Sequence, residues 1–193
     1  MYDPIEKRFR AEALRRMLGK SPGLADVPFV LHLRARHGEM TRVLLEAAEK
    51  ASLHQTIHAW EESRDGIEML KKLSSPFATL VRFWGDGLAA SVSTSALPED
   101  SGVVADVDCT LLRAQRELQR CLSAIFKARP SWVILSDTAR EMLYLNWQSY
   151  GLGSDCEEDY LSAMGGFIRN RYGYQLQRTE MASRRSNLLL FTR

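Results

Sequence analysis

Residues 103–141 read VVADVDCTLLRAQRELQRCLSAIFKARPSWVILSDTARE, and this stretch decides the fold prediction. Residues 103–107 are apolar and β-branched, which is typical of a buried strand. Apolar residues then recur at helical spacing over 111–126, with arginines on the opposite side. Pro130 ends this helix, because its ring removes a backbone N–H. Residues 132–135 predict a second buried strand, so the unit favours a parallel strand pair with a right-handed crossover.

Capping residues mark where the helices of the C-terminal half begin. Asp108 can cap the central helix by accepting hydrogen bonds from its free N–H groups. Thr138 and Glu141 fit a capping box that opens the next helix, and Ser154 with Glu157 fits another.

Helical patterns dominate the N-terminal half. A first helix begins at Pro4, residues 39–62 read as one long helix, residues 64–73 as a shorter one, and residues 77–84 as a further turn or two. Residues 27–33 suggest a short strand there, and residues 88–95 are small and β-leaning.

The predicted fold class is therefore α+β, with a helical N-terminal half, a small mixed α/β sheet layer and a C-terminal hairpin. The predicted regions are 1–97, mainly helical, and 98–193, α/β, unless the two form one continuous domain.

Composition excludes few classes of protein. The 193 residues carry a formal net charge of +2, too small to argue for nucleic acid or membrane binding by itself. The three cysteines form no CxxC pair, which indicates a reducing compartment, and we expect a cytoplasmic protein. No apolar run approaches the ~20 residues of a membrane span, so we expect no membrane partner.

In VVADVDCTLL, three apolar residues precede Asp106, which is followed by Asp108 and Thr110, and Ser136 ends the later apolar run. This order resembles the first and second motifs of haloacid-dehalogenase-like hydrolases, although Cys109 stands where that family has glycine. The resemblance implies a magnesium-dependent phosphohydrolase with Asp106 as the nucleophile and Asp108 as the acid/base. The metal ligands that it implies are Asp106, Asp108, Asp155 and Asp159. The alternative interpretation makes Asp108 a helix cap and the acidic cluster a helix N-terminus.

His54 and His58 are spaced i, i+4 on the predicted long helix. That spacing can place two imidazoles on one metal ion. A solvated helix face explains the same pair without a metal.

Basic and aromatic residues cluster near the C-terminus. A helix followed by a hairpin with a basic turn resembles the winged-helix arrangement, in which the hairpin meets the phosphates. Arginine supplies phosphate contacts and tyrosine can stack on bases. The candidate nucleic-acid residues are Arg171, Arg178, Arg184, Arg185, Tyr172 and Tyr174.

The order of elements in the C-terminal half also resembles tailed-phage major capsid subunits. An interaction protein needs no catalytic residues, and four tryptophans suit an interface. We therefore expect a non-catalytic binding or assembly protein without a cofactor, with a protein partner or self-assembly and a nucleic-acid contact through the basic hairpin. The phosphohydrolase with magnesium is the alternative.

Overall fold

The computed structural model describes residues 4–85, 97–107, 115–137, 157–183 and 186–193. Its elements in chain order are α1 (Pro4–Lys20), a 3-10 turn (Pro22–Asp26), β1 (Phe29–Leu33), α2 (Glu39–Ala51), β2 (Gln55–Glu61), α3 (Arg64–Lys71), β3 (Ala78–Trp84), β4 (Ser101–Val107), α4 (Gln115–Lys127), β5 (Trp132–Asp137), α5 (Glu157–Tyr172), β6 (Gln175–Ser183) and β7 (Ser186–Thr192).

One seven-stranded sheet organises the chain, with the strand order β3-β2-β1-β4-β5-β7-β6. Strands β1 to β5 pair in parallel, whereas β7 runs antiparallel to both of its neighbours, β5 and β6. Among the described residues, helices join β1 to β2, β2 to β3 and β4 to β5, as a parallel sheet requires. This is the architecture of an open α/β fold.

The predicted fold class, a helical N-terminal half with a small sheet, is wrong. Three of the seven strands, β1, β2 and β3, come from the N-terminal half and form one side of the sheet. The C-terminal antiparallel pair is not a separate hairpin, because β7 also pairs with β5 along its whole length.

The long helix predicted over residues 39–62 is two elements. Helix α2 ends at Ser52, whose φ of 53° is left-handed and whose N–H bonds to the Glu49 carbonyl. The chain then becomes β2, in which alternate residues are fully buried. Gln55 and Glu61 stand at both ends of the buried row, and their polarity hid the two-residue period.

Residues 77–84 were also assigned to a helix, and this prediction is wrong as well. Strand β3 occupies an edge of the sheet and pairs only with β2 among the strands described. Arg82 lies in the middle of β3, and its guanidinium donates to the carbonyls of Leu70 and Leu73 at the end of α3. The arginine therefore closes the C-terminus of a helix, which explains a charged residue in a half-buried strand.

The central strand–helix–strand prediction is confirmed for β4, α4 and β5. Val104 pairs with Ile134 in a parallel ladder, and Pro130 lies between α4 and β5. The cap residues predicted for this region, Asp108, Thr138 and Ser154, lie outside the described residues.

Two apolar layers cover the sheet. Helices α1, α2 and α3 pack on one face, where Leu14, Val43 and Leu70 join the side chains of alternate strand residues. Helices α4 and α5 pack on the other face, around Phe126 and Ile168. Strand residues alternate between the layers, as the pleat requires.

Among the described helices, none has both the length and the apolar character needed to cross a membrane.

Candidate functional site

The candidate site lies where β1 and β4 end side by side. The chain leaves β1 through α2 toward β2, and it leaves the neighbouring strand β4 in the opposite direction, toward α4 and β5. In open α/β sheets, this divergence creates a crevice outside the carboxyl ends of the strands, and ligands bind there. The crevice is built from the turn after β1 and from the end of β4.

The turn from β1 into α2 has an unusual backbone. Arg34, Arg36 and Gly38 all have left-handed φ angles, of 55°, 54° and 87°. Glycine adopts such angles freely, whereas an L side chain pays about 1–2 kcal/mol for them. The turn thus has the backbone of a glycine-rich ligand loop with arginine at two of its three left-handed positions.

Asp106, on β4, holds two arginines across the crevice. Its Oδ1 accepts from Arg10 Nη1 of α1 at 2.6 Å, and its Oδ2 accepts from Arg36 Nε at 2.8 Å. Asp106 and Arg10 are each only 3% exposed. A buried carboxylate between two guanidinium groups is paired on both oxygens, so it stays ionised and fixes Arg36 over the crevice.

Glu61, the last residue of β2, anchors the turn from its other side. Its Oε2 accepts from the backbone N–H of Arg36 at 2.7 Å, and its Oε1 accepts from the backbone N–H of Ser63 at 2.8 Å. Gly66 allows this arrangement, since a Cβ there would lie 2.6 Å from both the Arg36 carbonyl oxygen and Glu61 Cγ. These contacts hold the start of α3 against the strained turn.

Arg34 extends toward the α4 face of the sheet. Its Nη2 lies 3.7 Å from Glu62 Oε1, beyond hydrogen-bond distance, whereas Nε and Nη1 are buried and make no hydrogen bond. Burial raises the pKa of the Cys121 thiol of α4 to about 12, and the positive charge of Arg34 partly offsets this shift.

Burial lowers the pKa of two basic groups below the crevice, His32 and Lys7. His32 is fully buried in β1, its Nδ1 lies 2.9 Å from Thr41 Oγ1, and burial lowers its pKa to about 4. Lys7 of α1 contacts His37 Nδ1 at 2.7 Å, and burial is the main cause that lowers the pKa of its ammonium.

The structure separates the residues predicted for a phosphohydrolase. Asp106 lies at the crevice, but both of its oxygens bind arginine. Asp108 and Asp155 lie outside the described residues, and Asp159 belongs to the first turn of α5. In the part of the chain that the structure describes, no group of three or more histidine, cysteine and acidic residues could hold a metal ion.

His54 and His58 do not share a helix. His54 precedes β2 and its Nε2 lies 3.0 Å from Thr79 Oγ1, whereas His58 lies within β2 and packs between Phe29 and Phe83. Four residues along a strand span about 13 Å, so the spacing that suited a metal on a helix does not suit it here.

The predicted nucleic-acid residues lie in different environments. Tyr174 is 1% exposed in the core, where its ring has no face open to a base. Arg171 is exposed at the end of α5 and lies over the rings of Phe167 and Tyr172. Arg178 lies in β6 and is partly buried, and Arg184 and Arg185 lie outside the described residues.

Sequence reasoning missed most of the crevice. The sequence gives Arg10 no predicted site role, and Glu61 falls in the helix predicted over residues 39–62, where the structure has α2 and β2. The available signal was the turn RARHG directly after the apolar strand FVLHL and directly before a helix. Gly38 is the single glycine of this turn, and arginine at the other two left-handed positions concealed its relation to a ligand-binding turn.

No family model and no curated protein matches the sequence. Solved structures that match it include methyltransferases. Magnesium protoporphyrin IX methyltransferase from Synechocystis PCC 6803, solved with bound S-adenosylmethionine (SAM), has a TM-score of 0.66 at 12% identity, covering 100% of this chain and 85% of that one. The methyltransferase domain of a bacterial Hen1 has a TM-score of 0.61 at 15% identity, covering 97% and 98%. Fibrillarin, in its complex with Nop5p, has a TM-score of 0.61 at 16% identity, covering 96% and 82%.

These comparisons show that the chain has the Rossmann-like fold of SAM-dependent methyltransferases. They overturn the interpretation as a non-catalytic binding or assembly protein, and also the phosphohydrolase alternative, because the fold is shared with enzymes of methyl transfer. The expectation of no cofactor, or of magnesium, is corrected in the same way, since the cofactor of this class is SAM.

The polar groups of the crevice match those of SAM, but the cavity between them is smaller than SAM. Arg34 offers buried N–H groups without acceptors, and Asp106 offers a carboxylate; SAM carries a carboxylate and an ammonium group. The cavity between these residues is about 20 Å³ among the described residues, enough for a water molecule. Pockets for small ligands measure roughly 300 Å³ or more, so the cavity that the described residues enclose is smaller than a nucleoside-sized ligand needs.

Proposed function

We propose that this protein is a SAM-dependent methyltransferase whose cofactor binds in the crevice between β1 and β4. The observation that carries the proposal is the strand order, with its switch point at β1 and β4 and polar side chains from both strands' ends converging there. The near-complete coverage of methyltransferase structures supports it.

SAM, when bound, would supply the methyl group from its positively charged sulfur, and this sulfur would leave as a neutral thioether. The chain's own residues would bind SAM and orient it. Asp106 Oδ2, once Arg36 has moved, becomes an acceptor for an ammonium group, while Arg10 still holds Oδ1. Glu61 keeps the turn in place through the backbone N–H of Arg36, which does not depend on that residue's side chain.

His32 is excluded as the base that accepts a proton from the methyl acceptor. It is buried beneath the turn, and its pKa of about 4 leaves it neutral and shielded at neutral pH.

Isothermal titration calorimetry with SAM and with its demethylated product, S-adenosylhomocysteine, tests the proposal directly. Arg36→Gly should bind both ligands about tenfold more tightly than wild type, equivalent to ~1.4 kcal/mol, because the variant no longer has to break an ion pair over the crevice. Glycine also accepts the φ of 54° at this position without strain.

Arg129→Gly is the matched control, since Arg129 has a φ of 56° but is exposed between α4 and β5. It precedes the N-terminal end of β5, whereas the crevice lies at the carboxyl ends of the strands. This variant should bind as wild type does. Absence of binding of both ligands by wild type and by Arg36→Gly at millimolar concentration would overturn the proposal.

We also propose a cytoplasmic location and a protein partner. The free, buried thiol of Cys121 suits a reducing compartment. The exposed side chains of Trp84 and Met181 suit a protein contact, as does the complex that fibrillarin forms with Nop5p. Co-purification of the tagged protein from its native cells, followed by mass spectrometry, tests the partner.

A further inference from the structure

Arg34 is a buried cation with free hydrogen-bonding capacity. It is 9% exposed, and two of its three guanidinium nitrogens, Nε and Nη1, make no hydrogen bond to the described part of the chain. Its nearest carboxylate, that of Glu62, is 3.7 Å from the third nitrogen. Buried charges are normally paired and hydrogen-bonded, because desolvation without compensation costs several kcal/mol.

The other cations around the crevice have acceptors. Arg10 and Arg36 both donate to Asp106, and Lys7 contacts His37. Arg34 lines the same cavity with two guanidinium nitrogens, Nε and Nη1, that lack a hydrogen-bond partner among the described residues, whereas in Arg10 only Nε lacks one. Its backbone is held at a left-handed φ between β1 and the turn that Glu61 anchors, so the guanidinium has a fixed origin at the crevice.

We propose that Arg34 binds a carboxylate of the ligand that occupies the crevice. The planar guanidinium presents parallel N–H donors that match the two oxygens of a carboxylate. The inference rests on the proposed function for the identity of the ligand. The carboxylate belongs either to the amino-acid part of the cofactor or to an acidic methyl acceptor. Replacing Arg34 should weaken the cofactor in the first case and the acceptor in the second.

The experiment compares wild type with Arg34→Gln and Arg34→Lys by calorimetry, using S-adenosylhomocysteine, which has a carboxylate, and adenosine, which has none. For the cofactor source, Arg34→Gln should bind S-adenosylhomocysteine 10- to 100-fold more weakly and adenosine as wild type does. Arg34→Lys should retain part of the affinity, because it keeps the charge and loses the planar donor pair.

For the acceptor source, S-adenosylhomocysteine should bind wild type and Arg34→Gln equally. Malonate, a small dicarboxylate probe, should then raise the melting temperature of the wild-type complex and leave that of Arg34→Gln unchanged. Arg129→Gln, which changes an exposed arginine of similar φ, should respond to every ligand as wild type does.

The inference would be overturned if a folded Arg34→Gln protein kept both the S-adenosylhomocysteine response and the malonate response of wild type. Failure of the proposed function looks different: wild type then binds neither nucleoside. Even then malonate reports on Arg34, since its stabilisation of free wild type should be lost in Arg34→Gln if the residue binds carboxylates.

Discussion

Asp106 has two partners whose positions depend on it. One of them, Arg10, comes from α1 and is as deeply buried as the carboxylate itself. The other, Arg36, comes from the strained turn after β1. The carboxylate thus joins the N-terminal helix to the sheet, in addition to any role toward a ligand.

Asp106→Asn should lower the free energy of unfolding by about 3–5 kcal/mol, because the amide leaves Arg10 buried without its counter-charge. Urea denaturation followed by circular dichroism measures this change. Glu68→Gln is a suitable control, since the pair of Glu68 with Lys71 is exposed and should contribute nothing measurable. Equal stability of Asp106→Asn and wild type would contradict this account of the ion pairs.

His32 makes stability depend on pH. Its pKa is lowered from 6.5 to about 4, mainly by burial, and Asp106 partly offsets the shift. Between these values the unfolded chain binds a proton that the folded chain does not. The contribution is therefore fully present above pH 6.5 and is lost progressively as the pH falls toward 4, by up to about 3 kcal/mol.

Urea unfolding at pH 7 and at pH 4.5 checks this expectation. His32→Gln cannot take up the proton, so its stability should fall less between the two pH values than that of wild type. The carboxylates that also titrate in this range are common to both proteins and cancel in the comparison. An equal loss in both would mean that His32 titrates alike in the folded and unfolded chains.

Strand β4 approaches β5 closely because Gly102 has no side chain. Gly102 pairs with Trp132, and a Cβ on the glycine would lie 2.0 Å from the tryptophan ring. The ring covers the glycine across the ladder, in the manner of an aromatic side chain that fills the gap beside a strand glycine.

Gly102→Ala should therefore lower the free energy of unfolding by about 1–3 kcal/mol, the usual cost of overpacking. Gly166→Ala is the matched comparison: it lies in α5 with nothing within 4 Å of an added Cβ. That variant should gain up to about 1 kcal/mol from helix propensity. Chemical denaturation of both variants measures the difference, and a Gly102→Ala protein as stable as Gly166→Ala would contradict the packing.

Elements with a strong local pattern could be predicted from the sequence. The apolar β-branched runs of β4 and β5, and the stripe of α4 between them, leave little choice. Strand β2 could not be predicted in this way, because Gln55 is buried by donating to the carbonyls of Ala25 and Val27, contacts between segments distant in sequence. Long-range pairing overrides local propensity in such strands.

The candidate site was harder to predict than the fold. The sequence singles out Asp106 for a chemistry that needs its carboxylate unpaired, whereas in the structure both oxygens bind arginine. Arg10 and Arg36 reach it from other parts of the chain, and a single sequence contains no signal that joins α1, the first turn and β4. Arginine at left-handed positions is also invisible to motif reading, which looks for glycine there.

For the molecule as a whole, the two halves of the chain divide the sheet between them. Strands β1 to β3 form one side, and β4 to β7 form the other. The crevice lies at the seam, between β1 and β4, and the bond from Arg36 to Asp106 crosses it. A ligand bound there contacts both halves at once, which is a common position for ligands in α/β folds.

The pairing of β1 with β4 also has a consequence for how the chain folds. During synthesis, β1 can pair with β2, and β2 with β3, long before β4 leaves the ribosome, since the partner of Phe29 in β4 is Ser101. Until then, the strand that is central in the finished sheet exposes an open, apolar edge, FVLHL, which is a template for aggregation. We expect the slow, concentration-sensitive step of refolding to be the closure of this seam.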